Sequence, residues 1–155
     1  MKNMSKPKQK ERGQSMIELA LTISFLMVLL AGTIDLGHAF FAWLAMRDAV
    51  QEGATYGAID PSADETAIQT YVVSLVTTDV ITDPAAILNV GVSIPNDRCL
   101  GYHSDINGEQ HPNTITVSVE YQNFPITTPL LGAIIGDTIA IRTTIHDTII
   151  VPECE

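Results

Sequence analysis

Apolar positions crowd one end of this chain and alternate with polar ones toward the other. Residues 19–34 carry no charged side chain, and Leu, Ile, Val, Met, Phe and Ala dominate there, diluted only by Thr22, Ser24, Gly32 and Thr33. As a helix rising ~1.5 Å per residue this run spans about 24 Å, slightly short of a ~30 Å hydrocarbon core. Asp35 interrupts it, yet residues 36–46 are again mostly apolar and include Phe40, Phe41 and Trp43, which suit a membrane interface. Trp43, Leu44, Met46, Ala49, Val50, Ala54 and Ile59 then mix with Arg47, Asp48, Gln51 and Glu52, which predicts an amphipathic continuation of the same helix. One helix over about 15–58 would reach roughly 66 Å, half of it standing clear of a bilayer as a stalk. Gly53 and Gly57 weaken its end, and Asp60-Pro61-Ser62 stops it.

The remainder predicts a small head. Ser62 suits the cap of a second helix, with Asp64 and Glu65 in its first turn and Ile68, Tyr71, Val72, Leu75 and Val76 at three- and four-residue intervals. That helix should end before Asp83-Pro84. Leu88, Val90, Val92 and Ile94 fall on one face of a strand, Ile115, Val117, Val119 and Tyr121 on one face of a second, and Ile139, Ile141 and Ile145 on one face of a third. Alternation of this kind fits an antiparallel sheet with one buried face. Residues 95–113 read as a long loop, and residues 125–136 as an apolar connection with a short helix near 130–135. The expected fold is α+β: a long amino-terminal membrane-spanning helix continuing as a stalk, then one helix packed on an antiparallel sheet of about three strands.

Charge orients this picture. Residues 1–12 hold Lys2, Lys6, Lys8, Lys10 and Arg12 against Glu11, a solvated basic tail of charge +4. Positive charge is retained in the cytoplasm, so the rest of the chain should face outward. From residue 14 onward there are 17 acidic and 3 basic side chains. Such a body repels nucleic acid and excludes it as a partner. Cys99 and Cys154 both fall in the outward part, where an even count in an oxidising compartment favours one disulfide tying the carboxy terminus to the loop.

Nothing in the pattern points to catalysis. No serine sits in a glycine-flanked nucleophile elbow, and His38, His103, His111 and His146 are scattered among different elements. Asp105-Ile106-Asn107-Gly108-Glu109 alternates oxygen ligands but fails the helical calcium-loop pattern, and a turn with Asn-Gly at its tip accounts for it. No glycine-rich phosphate loop follows a strand, and two distant cysteines make a poor metal site. The expectation is therefore no enzyme, no cofactor and no metal. Asp35 and His38, three residues apart on one helical face, suit a structural role, and the small residues Ala31, Gly32, Gly37, Ala39, Ala42 and Ala45 suit close helix approach.

One carboxylate does not fit a plain anchor. Glu18 lies at the start of the apolar run, where an unpaired charge is expensive and usually functional. A cut after Gly13 would create an amino group on Gln14, four residues and one helical turn before Glu18, and so supply a positive partner in the same chain or a neighbouring copy. Three other outcomes stay open: a cleaved secretory signal with Gly37-His38-Ala39 as a weak site, an uncleaved signal anchor carrying an extracytoplasmic binding module, and an enzyme whose site is assembled from distant residues.

The segment Gly13-Gln14-Ser15-Met16-Ile17-Glu18 resembles the processing site of type IV pilin-like proteins, with glycine before the cut and glutamate fifth after it. Arg12 through Ala20, Asp35-Leu36-Gly37-His38-Ala39-Phe40 and Gln51-Glu52-Gly53-Ala54-Thr55-Tyr56-Gly57 are together similar to TadE-like pseudopilins of tight-adherence (Flp) pilus systems, and the likeness returns at residues 121–136. The resemblance implies a basic leader over 1–13, a transmembrane and stalk helix over 14–60 and an extracytoplasmic head over 61–155. It further implies a structural subunit cut by a prepilin peptidase between Gly13 and Gln14. The implied partners are that peptidase, other pilins and pseudopilins, an inner-membrane assembly platform and membrane lipid, with a role in pilus assembly, adhesion or secretion. Glu18 would pair with the freed amino group of an adjacent subunit and so set axial register.

Overall fold

A computed structural model describes residues 11–76, 81, 83–94, 102–104 and 106–150. Helix α1 (Glu11–Ile59) is a single run of 49 residues, about 74 Å long. Gly13 does not break it. It stops where Asp60 turns the chain: the Asp60 carboxylate accepts from the Ser62 backbone N–H at 2.9 Å and from the Ser62 hydroxyl at 2.6 Å. Ser62 is thereby spent on the turn, and it does not cap the next helix as its position in the sequence suggests. Asp64 does, accepting from the Ala67 N–H at 2.7 Å in front of α2 (Glu65–Leu75).

A short helix α3 (Pro84–Ile87) follows, with Asp83 as its cap and Pro84 in its first turn. Asp83-Pro84 thus starts an element as well as standing beyond the end of α2. The chain then runs through β1 (Leu88–Ser93), β2 (Tyr102–Ser104), β3 (Gln110–Pro112), β4 (Thr114–Pro125), α4 (Pro129–Ile135) and β5 (Thr138–Thr148). Strands β1, β4 and β5 form an antiparallel sheet with β4 in the middle. A register shift between Tyr121 and Phe124 bends β4 near its end and keeps both rings on the inner face, their centroids 5.4 Å apart.

The stretch expected as a plain loop over 95–113 also holds the β2–β3 hairpin, which pairs Tyr102 with Pro112, His103 with His111 and Ser104 with Gln110. Gly108 at its tip has φ +81°, the left-handed backbone that an Asn-Gly turn requires. These short polar strands have no hydrophobic alternation to announce them.

One face of the sheet carries the core. Ile115, Val117 and Val119 are fully buried, each contributing about 1.5–3 kcal/mol of apolar burial, and Leu88, Tyr121, Phe124 and Ile141 surround them. The outer face is polar, with Thr116, Ser118 and Glu120 from β4 and Arg142, Thr144 and His146 from β5. Across the inner face lies the second half of α1, whose Ala42, Met46, Ala49, Val50 and Ala54 form one buried stripe at helical spacing, continued by the buried Ala58. The stalk half of α1 is therefore a core element of the head.

Helix α2 crosses α1 at a seat made by Gly53 and Gly57. A Cβ at Gly53 would stand 2.2 Å from Val72 Cγ2, and one at Gly57 would stand 2.6 Å from Ile68 Cδ1. The two glycines sit four apart, as do Ile68 and Val72, so each buried side chain of α2 drops onto one glycine. Tyr56 and Tyr71 stack beside this seat with centroids 4.9 Å apart. Gln69 Nε2 donates to the Val90 carbonyl at 3.2 Å and holds α2 against β1.

Candidate functional site

The two halves of α1 meet different surroundings. Along residues 13–30 nearly every side chain is exposed, including Met16, Ile17, Leu19, Phe25 and Leu29 on all sides of the helix. A helix apolar all round and uncovered by its own protein belongs in a membrane or a helix bundle. Three of its hydroxyls bond back to the helix: Thr22 donates to the Glu18 carbonyl, Ser24 to the Ala20 carbonyl and Thr33 to the Leu29 carbonyl, at 2.8–2.9 Å. Such back-bonding lets Ser and Thr sit at membrane depth. By length and composition the helix is long and apolar enough to cross a membrane, which suits a membrane anchor.

Gly13 and Gln14 are exposed on the first turns of α1, and a Cβ at Gly13 would meet nothing within 4 Å. Glu18 is exposed one turn further on, and Gln14 Nε2 donates to its Oε1 at 3.2 Å. The carboxylate thus already draws a donor from residue 14. Cys99 and Cys154 lie outside the described residues.

At the far end of the apolar run the head folds back onto α1. Asp35 is buried, only 8% exposed. Its Oδ2 accepts from the Thr128 N–H at 2.8 Å, and its Oδ1 accepts from the Thr127 hydroxyl. His38 on the same helix is exposed, so Asp35 is engaged by the 127–128 loop rather than by its helical neighbour. That loop leads into α4, whose Leu131 Cδ1 lies 3.2 Å from where a Cβ on Gly32 would stand. Leu131 and Ile135 line an apolar groove of about 400 Å³ along α1 with Val28, Leu29, Leu36 and Ala39. Going down the helix, Asp35 meets the loop and Gly32 meets the middle of α4.

The aromatic group lies on the other side of Asp35. Phe40 and Phe41 are exposed, and Trp43 packs on Phe40 with centroids 6.0 Å apart while Arg47 lies over its ring at 5.9 Å. Higher still, Thr55 donates to Asp147 Oδ2 at 3.2 Å, linking α1 to the inner face of β5. His146 points the other way, its Nδ1 2.8 Å from the Thr116 hydroxyl. Among the described residues no three His, Cys, Asp or Glu side chains gather as a metal set.

The latch between Asp35 and Thr127–Thr128 and the glycine seat under α2 have no counterpart in the sequence reading. The only signals were a lone carboxylate ending an apolar run and a Thr-Thr pair before Pro129.

No curated protein and no solved structure matches the chain. A family model does: residues 13–55, from the exposed start of α1 to its buried stripe, match the family described as TadE-like protein. Over that stretch the chain is similar to TadE-like proteins, consistent with a TadE-like pilin.

Proposed function

We propose that this protein is a structural, pilin-like subunit of a Tad pilus, made with a basic leader that a prepilin peptidase removes between Gly13 and Gln14. The mature helix then sits in the cytoplasmic membrane with its amino end inward and the acidic head outside, until the assembly platform draws it into a bundle with other pilins. In the bundle Glu18 takes the new amino group of a neighbouring subunit. The head, closed by a Cys99–Cys154 disulfide, faces outward and contributes to adhesion or secretion. The protein works by assembly and carries out no chemistry.

The observation that supports this reading is the continuity of α1. One unbroken helix joins a half exposed on every side to a half that is the core of a folded head, and the family match lies across the junction. Such a subunit can hand its exposed half from lipid to other helices while the head stays folded.

Amino-terminal sequencing and intact mass of the protein from sheared filaments test it. The wild-type chain should begin at Gln14, and a Gly13→Leu chain should keep its leader and stay out of filaments. A wild-type chain that keeps its leader and remains in the membrane would instead make it a permanently anchored binding module.

A further inference from the structure

We propose that α4 is a second membrane-contacting element: a short apolar helix that the head lowers beside α1 into the outer leaflet, where acyl chains cover it. This rests on the reading of α1 as membrane-spanning.

The argument is one of depth. Asp35 ends the uncharged run, and the exposed Phe40 and Phe41 with Trp43 sit just above it, the place where aromatic side chains mark a membrane–water boundary. Gly32 lies three residues below Asp35 and Val28 seven, about 4.5 Å and 10 Å down the helix. Leu131 packs at Gly32, and Leu131 and Ile135 line a groove that runs along α1 from Val28 to Ala39. The middle of α4 therefore lies about 4.5 Å below Asp35, at the shallow edge of the 5–10 Å to which interfacial helices sink. A head in water alone would leave Ile134 73% and Ile135 58% exposed. At that depth the same two side chains meet lipid.

Polar groups on this face agree with a shallow position. Asp35, the carboxylate that ends the uncharged run on its head side, has both oxygens occupied by the loop that enters α4. The α4 backbone is closed by the Gly132 N–H on the Thr128 carbonyl at 3.0 Å and the Gly136 N–H on the Gly132 carbonyl at 2.9 Å. Asp137 is exposed just past the helix and limits how far it can sink. Because Asp137 is an acid, the surface suits acyl chains of zwitterionic lipid and gains nothing from anionic headgroups.

The test uses the full chain in phosphatidylcholine vesicles, in a Trp43→Phe background, with Ile134→Trp as probe and Leu29→Trp as depth reference on α1. Phosphatidylcholines brominated near the headgroup end or deep in the chains serve as quenchers. The Ile134→Trp chain should emit at short wavelength and lose emission to the shallow quencher, while the Leu29→Trp chain is quenched as well. Water-like emission from Ile134→Trp with Leu29→Trp still quenched would overturn the contact but leave the membrane helix standing. Short-wavelength emission that no brominated lipid quenches would mean a second copy of the chain covers α4, and would overturn it too. Loss of quenching at Leu29→Trp would remove the membrane reading itself, and this inference with it.

Discussion

Thr128 donates its backbone N–H to the Asp35 carboxylate across 93 positions of sequence, at 2.8 Å. The Thr127 hydroxyl takes the other oxygen. This contact fixes how far down α1 the head reaches. The buried stripe of α1 from Ala42 to Ala58 holds the sheet and α2, while among the described residues the Asp35 latch supplies the hydrogen bonds that tie the head to the edge of the apolar half, and α4 hangs directly from it. A carboxylate that would be a liability at the edge of an apolar span becomes a register mark for the head.

Breaking the latch should loosen α4 without unfolding the head. In Asp35→Ala the Thr128 N–H and the Thr127 hydroxyl lose their acceptor, and an unsatisfied donor destabilises the segment that carries it. The Thr128 and Gly132 amides should exchange about tenfold faster than wild type in detergent micelles, while those of Val117 and Val119 keep their protection. Asp35→Asn retains one acceptor oxygen and should fall between. Equal acceleration in β4 and α4 would show that Asp35 supports the whole head rather than the latch.

The glycine seat makes a second, independent prediction. Alanine in a helix ordinarily gains up to about 1 kcal/mol over glycine. At Gly53 that gain is outweighed, because the new methyl would lie 2.2 Å from Val72 Cγ2 in a fully buried site; overpacking of this kind costs about 1–3 kcal/mol. Gly53→Ala should therefore lower stability by about 1 kcal/mol, read by thermal unfolding of the full chain in micelles. Adding Val72→Ala should recover part of the loss, giving a coupling of about 1 kcal/mol in a double-mutant cycle. Gly37→Ala, where a Cβ meets nothing within 4 Å, should be neutral or slightly stabilising. A Gly53→Ala chain as stable as Gly37→Ala would mean that α2 does not cross there.

The parts of this fold legible in the sequence are those governed by periodicity. The apolar run, the stop at Asp60-Pro61-Ser62 and the alternation at Ile115, Val117 and Val119 each encode local structure in local pattern, and the helix, turn and central strand follow. What stayed hidden depends on who the neighbour is. Gly53 and Gly57 look like helix weakeners until Val72 and Ile68 are seen to sit on them. Asp35 and His38 share a helical face in the sequence, but the partner of Asp35 is Thr128, from the other end of the chain. The Ser62 cap was misplaced because two acceptable capping residues lie within three positions, and the choice rests on Asp60 claiming the serine hydroxyl. Gly13, Gln14 and Glu18 are marked by spacing alone, and their exposed positions on the single chain leave their roles to a neighbour or an enzyme.

The choice of cap can be measured directly. Asp64 accepts the Ala67 N–H and starts α2, so Asp64→Ala should cost about 0.5–2 kcal/mol. Ser62→Ala removes only a hydroxyl that binds Asp60 on an exposed turn, and should cost less than about 0.5 kcal/mol. Thermal unfolding of the two variants side by side checks the order, and a larger effect at Ser62 would return the cap to the earlier position.

Glu18 should matter to assembly and not to the subunit. On the single chain it is exposed and, among the described residues, touched by the Gln14 amide at 3.2 Å and by its own helix, so Glu18→Gln should leave the thermal unfolding of the head unchanged. In the proposed bundle the same side chain is an apolar-surrounded carboxylate facing a new amino group, and removing one partner of such a pair is strongly unfavourable. Association should weaken by about 100-fold or more, the size of a few kcal/mol. Glu18→Gln protein should therefore be cut after Gly13 like wild type, accumulate in the membrane and be missing from sheared filaments. Glu18→Asp, which keeps the charge on a shorter arm, should restore part of the incorporation. If Glu18→Gln enters filaments as well as wild type, the ion pair is not what sets the register, and the apolar faces of residues 16–30 must do so alone.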